Sequence, residues 1–181
     1  RITPGVDTPD VAPALSLLAD SKRPVVVVGL EAARSGLAPI LRDFVNALGA
    51  PVLCTYMAKG CIPDDDGHFA GIFTGGAIEQ DCVGSSDLII AIGLDPEELL
   101  RKPWSFTAPI LDLCQRVYDP HYYQPAERIS APLALTLQAL SHDLAASDWR
   151  MEEIAAFRDG FLNGMASDDG SGLSSTAVVK A

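Results

Sequence analysis

The stretch Arg23-Pro-Val-Val-Val-Val-Gly-Leu30 constrains the fold more than any other part of the chain. A short run without polar residues ends at a glycine, an amphipathic segment follows, and Pro51-Val-Leu-Cys-Thr-Tyr56 is a second apolar run. Strands buried on both faces read as continuous apolar runs rather than alternating ones, because helices cover both sides of a parallel sheet. The pattern is a βαβ unit, and it predicts a doubly wound, Rossmann-like α/β domain with helices on both faces. Ligands in such sheets gather beyond the carboxyl ends of the strands. The residues after each apolar run are therefore the first candidates for a site.

Further segments fit the same plan. Val11, Leu15 and Leu18 recur at helical spacing over residues 10–21, with Asp10 as N-cap. A first strand spans 25–28, with Pro24 where a missing N–H is tolerated. Leu37, Ile40, Leu41, Phe44, Val45 and Leu48 form one stripe, which predicts a helix capped by Ser35 and ended by Gly49. A strand over 52–56 runs into residues 57–64, followed by His68-Phe-Ala-Gly71 and a loop over 72–76. A short helix over 77–83 follows, then strands over 86–93 and 108–114 and a weaker one at Glu127–Ser130. A helix over 132–144 has Leu133, Leu137, Leu140 and Leu144 on one face. Beyond Ser147 a last helix presents Trp149, Ile154, Phe157 and Phe161, and Asp168-Asp-Gly-Ser-Gly172 reads as a linker. The expected organisation is a linker over 1–9, one domain over 10–146, and a connecting helix and linker over 147–181.

At 181 residues and 48% hydrophobic content the chain can bury one substantial core. A net charge of −11 argues against nucleic acid or an anionic membrane surface as partner, since both demand clustered Lys and Arg. No apolar run approaches the roughly 20 residues of a membrane span. The first residue is Arg1 rather than Met, and Ser174, Thr176, Val179 and Lys180 read as the cap and opening turns of another helix. Both ends are expected to be cuts from a longer chain. Cys54, Cys61, Cys82 and Cys114 form no Cys-x-x-Cys pair, so they are expected to be reduced, structural thiols of a cytoplasmic protein.

Glycines at or beyond strand ends (Gly29, Gly60, Gly71, Gly75, Gly76 and Gly93) admit two readings. Their backbone could approach a phosphate or ribose closely, or they could simply make tight strand-to-helix turns. After Gly29 come Leu30, Glu31, Ala32 and Ala33, so neither G-x-G-x-x-G nor a P-loop is present. Asp64-Asp-Asp66 beside His68 lacks the spacing of a hard-cation loop and reads as a solvated turn with one capping carboxylate. His68, His121 and His142 pair with no nucleophile motif, and the G-x-S-x-G elbow is absent. Cys61 follows Lys59 closely, which would favour a thiolate and leaves a small Cys61-dependent hydrolase as one reading. Trp104, Phe106, Tyr118, Tyr122, Tyr123, Pro120 and Pro125 could line a ligand edge, a subunit contact or a packed surface loop.

The order of Arg23-Pro-Val-Val-Val-Val-Gly29, Gly49-Ala-Pro-Val52, Thr55-Tyr-Met-Ala-Lys-Gly60, Ile62-Pro-Asp-Asp65 and Ser86-Asp-Leu-Ile-Ile-Ala-Ile-Gly93 resembles the central domain of thiamine diphosphate-dependent enzymes. The group includes acetolactate synthase, pyruvate decarboxylase and benzoylformate decarboxylase. The resemblance covers residues 10–145, and Gly172-Leu-Ser-Ser-Thr-Ala-Val-Val179 is similar to the start of the diphosphate-binding domain that follows in this family. It implies a sheet of about six parallel strands and a parent that makes or cleaves a C–C bond next to a carbonyl with ThDP and Mg2+. The family's activating glutamate and its Gly-Asp-Gly and Asn metal motif belong to the flanking pyrimidine- and diphosphate-binding domains. The chain alone is therefore expected to have no catalytic residue and no cofactor of its own, while the parent forms a dimer or tetramer.

Some relatives bind FAD or an ADP-bearing ligand in this domain. The resemblance carries that pocket onto Gly29, Thr55, Met57, Lys59, Gly60, Gly75, Gly76, Gly93 and Asp112. Glu31 and Asp95 stand where negative charge would face a pyrophosphate, and Asp112-Leu-Cys114 replaces Asp-x-Asp. FAD or ADP is accordingly disfavoured and the pocket is expected to be vacant. A free-standing FAD-, NAD- or ADP-binding module of the same sheet type is the alternative.

Overall fold

The computed structural model describes residues 9–100, 102–118, 123–142 and 144–166. Helix α1 (Ala12–Asp20) leads into β1 (Pro24–Val28), followed by α2 (Leu30–Arg34), α3 (Ala38–Leu48) and β2 (Val52–Cys54). Then come β3 (Phe69–Ile72), α4 (Gln80–Gly84), β4 (Leu88–Ile92), β5 (Ile110–Cys114), β6 (Glu127–Ser130), α5 (Leu133–Ser141) and α6 (Met151–Ala166). Among the described residues the strands form one six-stranded sheet in the order β3-β2-β1-β4-β5-β6, with every pairing parallel. This is the doubly wound architecture that the apolar runs imply. Every residue of β1, β4 and β5 is buried, as the continuous Val, Ile and Leu runs require.

Helix α3 buries Leu41, Phe44, Val45 and Leu48 and ends at Gly49, whose φ of 64° supplies the left-handed C-terminal turn. Its start differs from the expected Ser35 cap. The chain turns helical at once after β1, forming α2, and breaks at Gly36, where φ is 65°. Ser35 therefore closes α2 rather than opening α3, and its hydroxyl donates to the Glu31 carbonyl. Nor is Asp10 the N-cap of α1: that position is Val11, without a side-chain cap, although Asp10 Oδ1 accepts from the Ala12 amide at 3.0 Å. Strand β3 was not foreseen from the residues, although the resemblance required a sixth strand. Phe69-Ala-Gly-Ile72 is short, lies on the sheet edge and carries a register shift against β2.

Helix α6, which belongs to the expected connecting segment, packs on the sheet. Ile154 is fully buried, and a Cβ on Gly71 of β3 would lie 2.9 Å from the Phe161 ring. The start of α6 is tied to β1: Trp149 Nε1 donates to the Pro24 carbonyl at 2.8 Å and Arg23 lies 3.6 Å over the indole. Arg23 also bonds Glu153 at 2.9 Å. No described helix is long and apolar enough to cross a membrane. The linkers over 1–8 and 168–172, the C-terminal helix start, Pro120, His121 and Tyr122 lie outside the described residues.

Candidate functional site

Parallel order makes β1 and β4 neighbours while their connections leave in opposite directions, so a crevice opens at their carboxyl ends. The two strand-end glycines meet there. The Gly29 amide donates to the Ile92 carbonyl at 2.9 Å, and the Gly93 carbonyl accepts from the Glu31 amide at 2.9 Å. Gly93 has a φ of 62°, and a Cβ on it would stand 2.6 Å from the Ala32 nitrogen. A Cβ on Gly29 would lie 2.5 Å from both the Gly93 oxygen and Leu94 Cα, and 2.6 Å from Glu98 Oε1. Both positions are glycine because main chain meets main chain.

Glu98 closes this crevice. It ends a 3₁₀ turn over Pro96–Glu98 in which the Asp95 side chain accepts from the Glu97 amide at 3.0 Å and Glu98 Oε1 accepts from the Asp95 amide at 2.9 Å. With the Asp95 side chain also accepting from the Glu98 amide, Asp95 and Glu98 form a capping box. The carboxylate then reaches past its own turn. Oε1 also accepts from the Leu30 amide at 2.9 Å, and Oε2 accepts from the Thr55 hydroxyl at 2.6 Å. Thr55, fully buried, starts a second 3₁₀ turn, Tyr56–Ala58, and its Oγ1 accepts from the Ala58 amide at 3.3 Å. Leu30, Thr55 and Asp95, each just beyond a strand end, thus converge on one carboxylate that is not among the residues expected from the sequence. Its signal was the spacing Asp95-Pro-Glu-Glu98, which is legible as a capping box, whereas the reach to β1 and β2 is not.

The remaining candidates are not gathered there. Tyr56 and Met57 are exposed, and Lys59 pairs with Asp64 at 3.0 Å. Gly60 takes a φ of 93° in the turn that follows. Gly75 lies against Trp104 and Leu100, and the Gly76 amide donates to Glu79 Oε1 at 2.8 Å. Asp112 sits within β5 and accepts from Arg128 Nε of β6 at 2.8 Å. Burial pushes its carboxyl up, against the lowering pull of the Arg128 hydrogen bond and charge. Glu31 Oε2 accepts from the Gln115 amide at 2.6 Å, and Glu31 and Asp95 line a cleft of about 360 Å³ with Arg34 and Arg116.

Burial raises the Cys61 thiol, opposite in direction to the thiolate that nearby Lys59 would favour. Desolvation likewise pushes Cys54 and Cys82 up to about 12. All four thiols are free and buried. Asp66 Oδ1 accepts from the His68 amide at 2.9 Å, so the acidic turn does contain a capping carboxylate. Among the described residues no group of three or more His, Cys, Asp or Glu side chains could hold a metal ion, and the metal of a thiamine diphosphate site therefore does not fit them. Trp104 stacks on Tyr123 at 4.5 Å and meets Phe73 edge-on at 5.1 Å, so these aromatics pack together over the sheet.

The family model described as "Thiamine pyrophosphate enzyme, central domain" matches residues 11–140. The chain belongs to this family. As a thiamine pyrophosphate enzyme central domain it is 26% identical to the acetolactate synthase of Bacillus subtilis (strain 168) over 140 residues, covering 74% of this chain and 24% of that protein. It is also 26% identical over 156 residues to the acetolactate synthase isozyme 2 large subunit of Escherichia coli (strain K12), covering 83% of this chain and 28% of the other. The central domain thus spans about a quarter of the length of these relatives. Its fold matches a thiamin diphosphate-dependent enzyme of Mycobacterium smegmatis described as putative, with a TM-score of 0.64 at 21% identity over 83% of this chain and 31% of that one. Benzoylformate decarboxylase from Polynucleobacter necessarius matches with a TM-score of 0.62 at 22% identity, over 82% and 30% of the two chains.

Proposed function

We propose that this chain is the structural and assembly domain of a larger ThDP-dependent enzyme that makes or cleaves a C–C bond next to a carbonyl, and that it is not catalytic alone. One observation carries this reading: the central-domain match fills residues 11–140, while the chain corresponds to only 24% of a catalytically named relative. ThDP and Mg2+ belong to flanking pyrimidine- and diphosphate-binding domains of the parent. Those domains are its main partners, with residues 1–9 and 147–181 as the connections on either side of a unit at 10–146. The parent assembles as a homodimer or homotetramer, and four free, buried thiols favour a cytoplasmic setting.

The test is an assay of the 181-residue chain with ThDP, Mg2+ and either pyruvate or benzoylformate. No product and no ThDP binding are expected, and turnover of any 2-keto acid by the chain alone overturns the proposal. Reading the coding sequence on both sides is the complement: an upstream domain with its glutamate and a downstream Gly-Asp-Gly with an Asn are expected. The alternative, a free-standing module for FAD, NAD or ADP, is favoured by the strand order and requires saturable binding of one of them.

A further inference from the structure

We infer that Glu98 is the resident anion of the switch-point crevice, a carboxylate from the chain itself that occupies the place a nucleotide phosphate would need. Three donors from three strand ends point at it: the Leu30 amide after β1, the Thr55 hydroxyl after β2 and the Asp95 amide after β4. Converging N–H and O–H groups of this kind are what an anion site is made of, and here an internal ligand fills it. Glu98 also does more than cap its turn. A capping box needs only the Asp95 amide, whereas two of the three bonds go to other elements.

Space agrees with this assignment. No room remains at Gly29, where even a methyl group would overlap the Gly93 oxygen, Leu94 Cα and the Glu98 carboxylate. The consequence is a domain held together at its crevice without a nucleotide, by a ligand that never dissociates. The inference concerns this chain's own crevice and does not depend on which reaction the parent performs.

The experiment is thermal unfolding of the 181-residue chain and its Glu98→Ala variant with sodium chloride, sodium acetate or ADP at matched ionic strength. Wild type is expected to show the same midpoint in all three. Glu98→Ala is expected to unfold at least about 4 °C lower in chloride, since hydrogen bonds to a charged group are lost. Acetate is expected to restore part of that deficit, a response that loss of packing alone would not give. A rise of the wild-type midpoint with ADP, or a Glu98→Ala variant that is unaffected or blind to acetate, overturns the inference. If Glu98→Ala does not fold, Glu98→Gln and Thr55→Val are combined. Their joint deficit is expected to be smaller than the sum of the two, because each removes the charge-assisted Thr55–Glu98 hydrogen bond, and strict additivity overturns the inference.

Discussion

Two glycines of this chain differ in what a methyl group would cost, and the difference follows from their surroundings. Gly93 combines a φ of 62° with main chain 2.6 Å from the site of a Cβ, and neither the Ala32 nitrogen nor the Glu31 carbon beside it can swing aside. Gly93→Ala is expected to destabilise the chain by about 3 kcal/mol or more, read as a lower urea midpoint at unchanged slope. Gly160 in α6 is the opposite case. A Cβ there meets nothing within 4 Å, and glycine in an exposed helix interior costs about 1 kcal/mol relative to alanine. Gly160→Ala should therefore raise the melting midpoint by about 2–4 °C. A fall would mean that α6 is not helical at that position in solution.

The elements show how far residue patterns reach. β1, β4 and α3 were legible because continuous burial and a 3.6-residue stripe are written locally in Val25 to Val28, Leu88 to Ile92 and Leu41 to Leu48. β3 was not, because four residues with a glycine at φ 140° hold no period and become a strand only by pairing with β2 under Phe161. The extra helix α2 ahead of the expected one ends at Gly36, whose positive φ no pattern of apolar residues announces. The site divides the same way. The strand-end glycines could be named in advance, but Glu98 gains its role only when residues 30, 55 and 98 meet. Helix α6 gives a test at this scale. Phe161 lies against Gly71 and helps line a cavity of about 130 Å³ with Phe157, Ile72 and Cys82. Phe161→Ala enlarges that cavity and is expected to cost about 2–4 kcal/mol by chemical denaturation, against almost nothing if α6 leaves the sheet in solution.

At the scale of the whole molecule, two carboxylates tie separate parts of the chain together where the strands begin. Asp87, just before β4, accepts from the Ser21 hydroxyl and from the Lys22 and Arg23 amides. Burial works to raise it, but those hydrogen bonds prevail and hold it below the usual carboxylate range. Glu153, in α6, is brought down from 4.5 to about 2, first by the Arg23 hydrogen bond and then by the Arg150 amide. A carboxyl depressed in the folded state stabilises above its unfolded pKa, and that contribution is lost as pH falls through the folded value. For Glu153 the window therefore runs from about 4.5 down to about 2. Asp112 is raised and has the opposite sense, its contribution fading as pH rises, so it does not drive acid unfolding. Glu153→Gln and Asp87→Asn should each unfold at lower urea than wild type at pH 7. Their deficits should shrink as pH falls, with that of Glu153→Gln small by pH 2, where the folded-state carboxyl is about half protonated. A deficit that stays constant across the range would show that these side chains act by shape and hydrogen-bond count, and that the charge linking α1, β1, β4 and α6 contributes nothing to holding the domain closed.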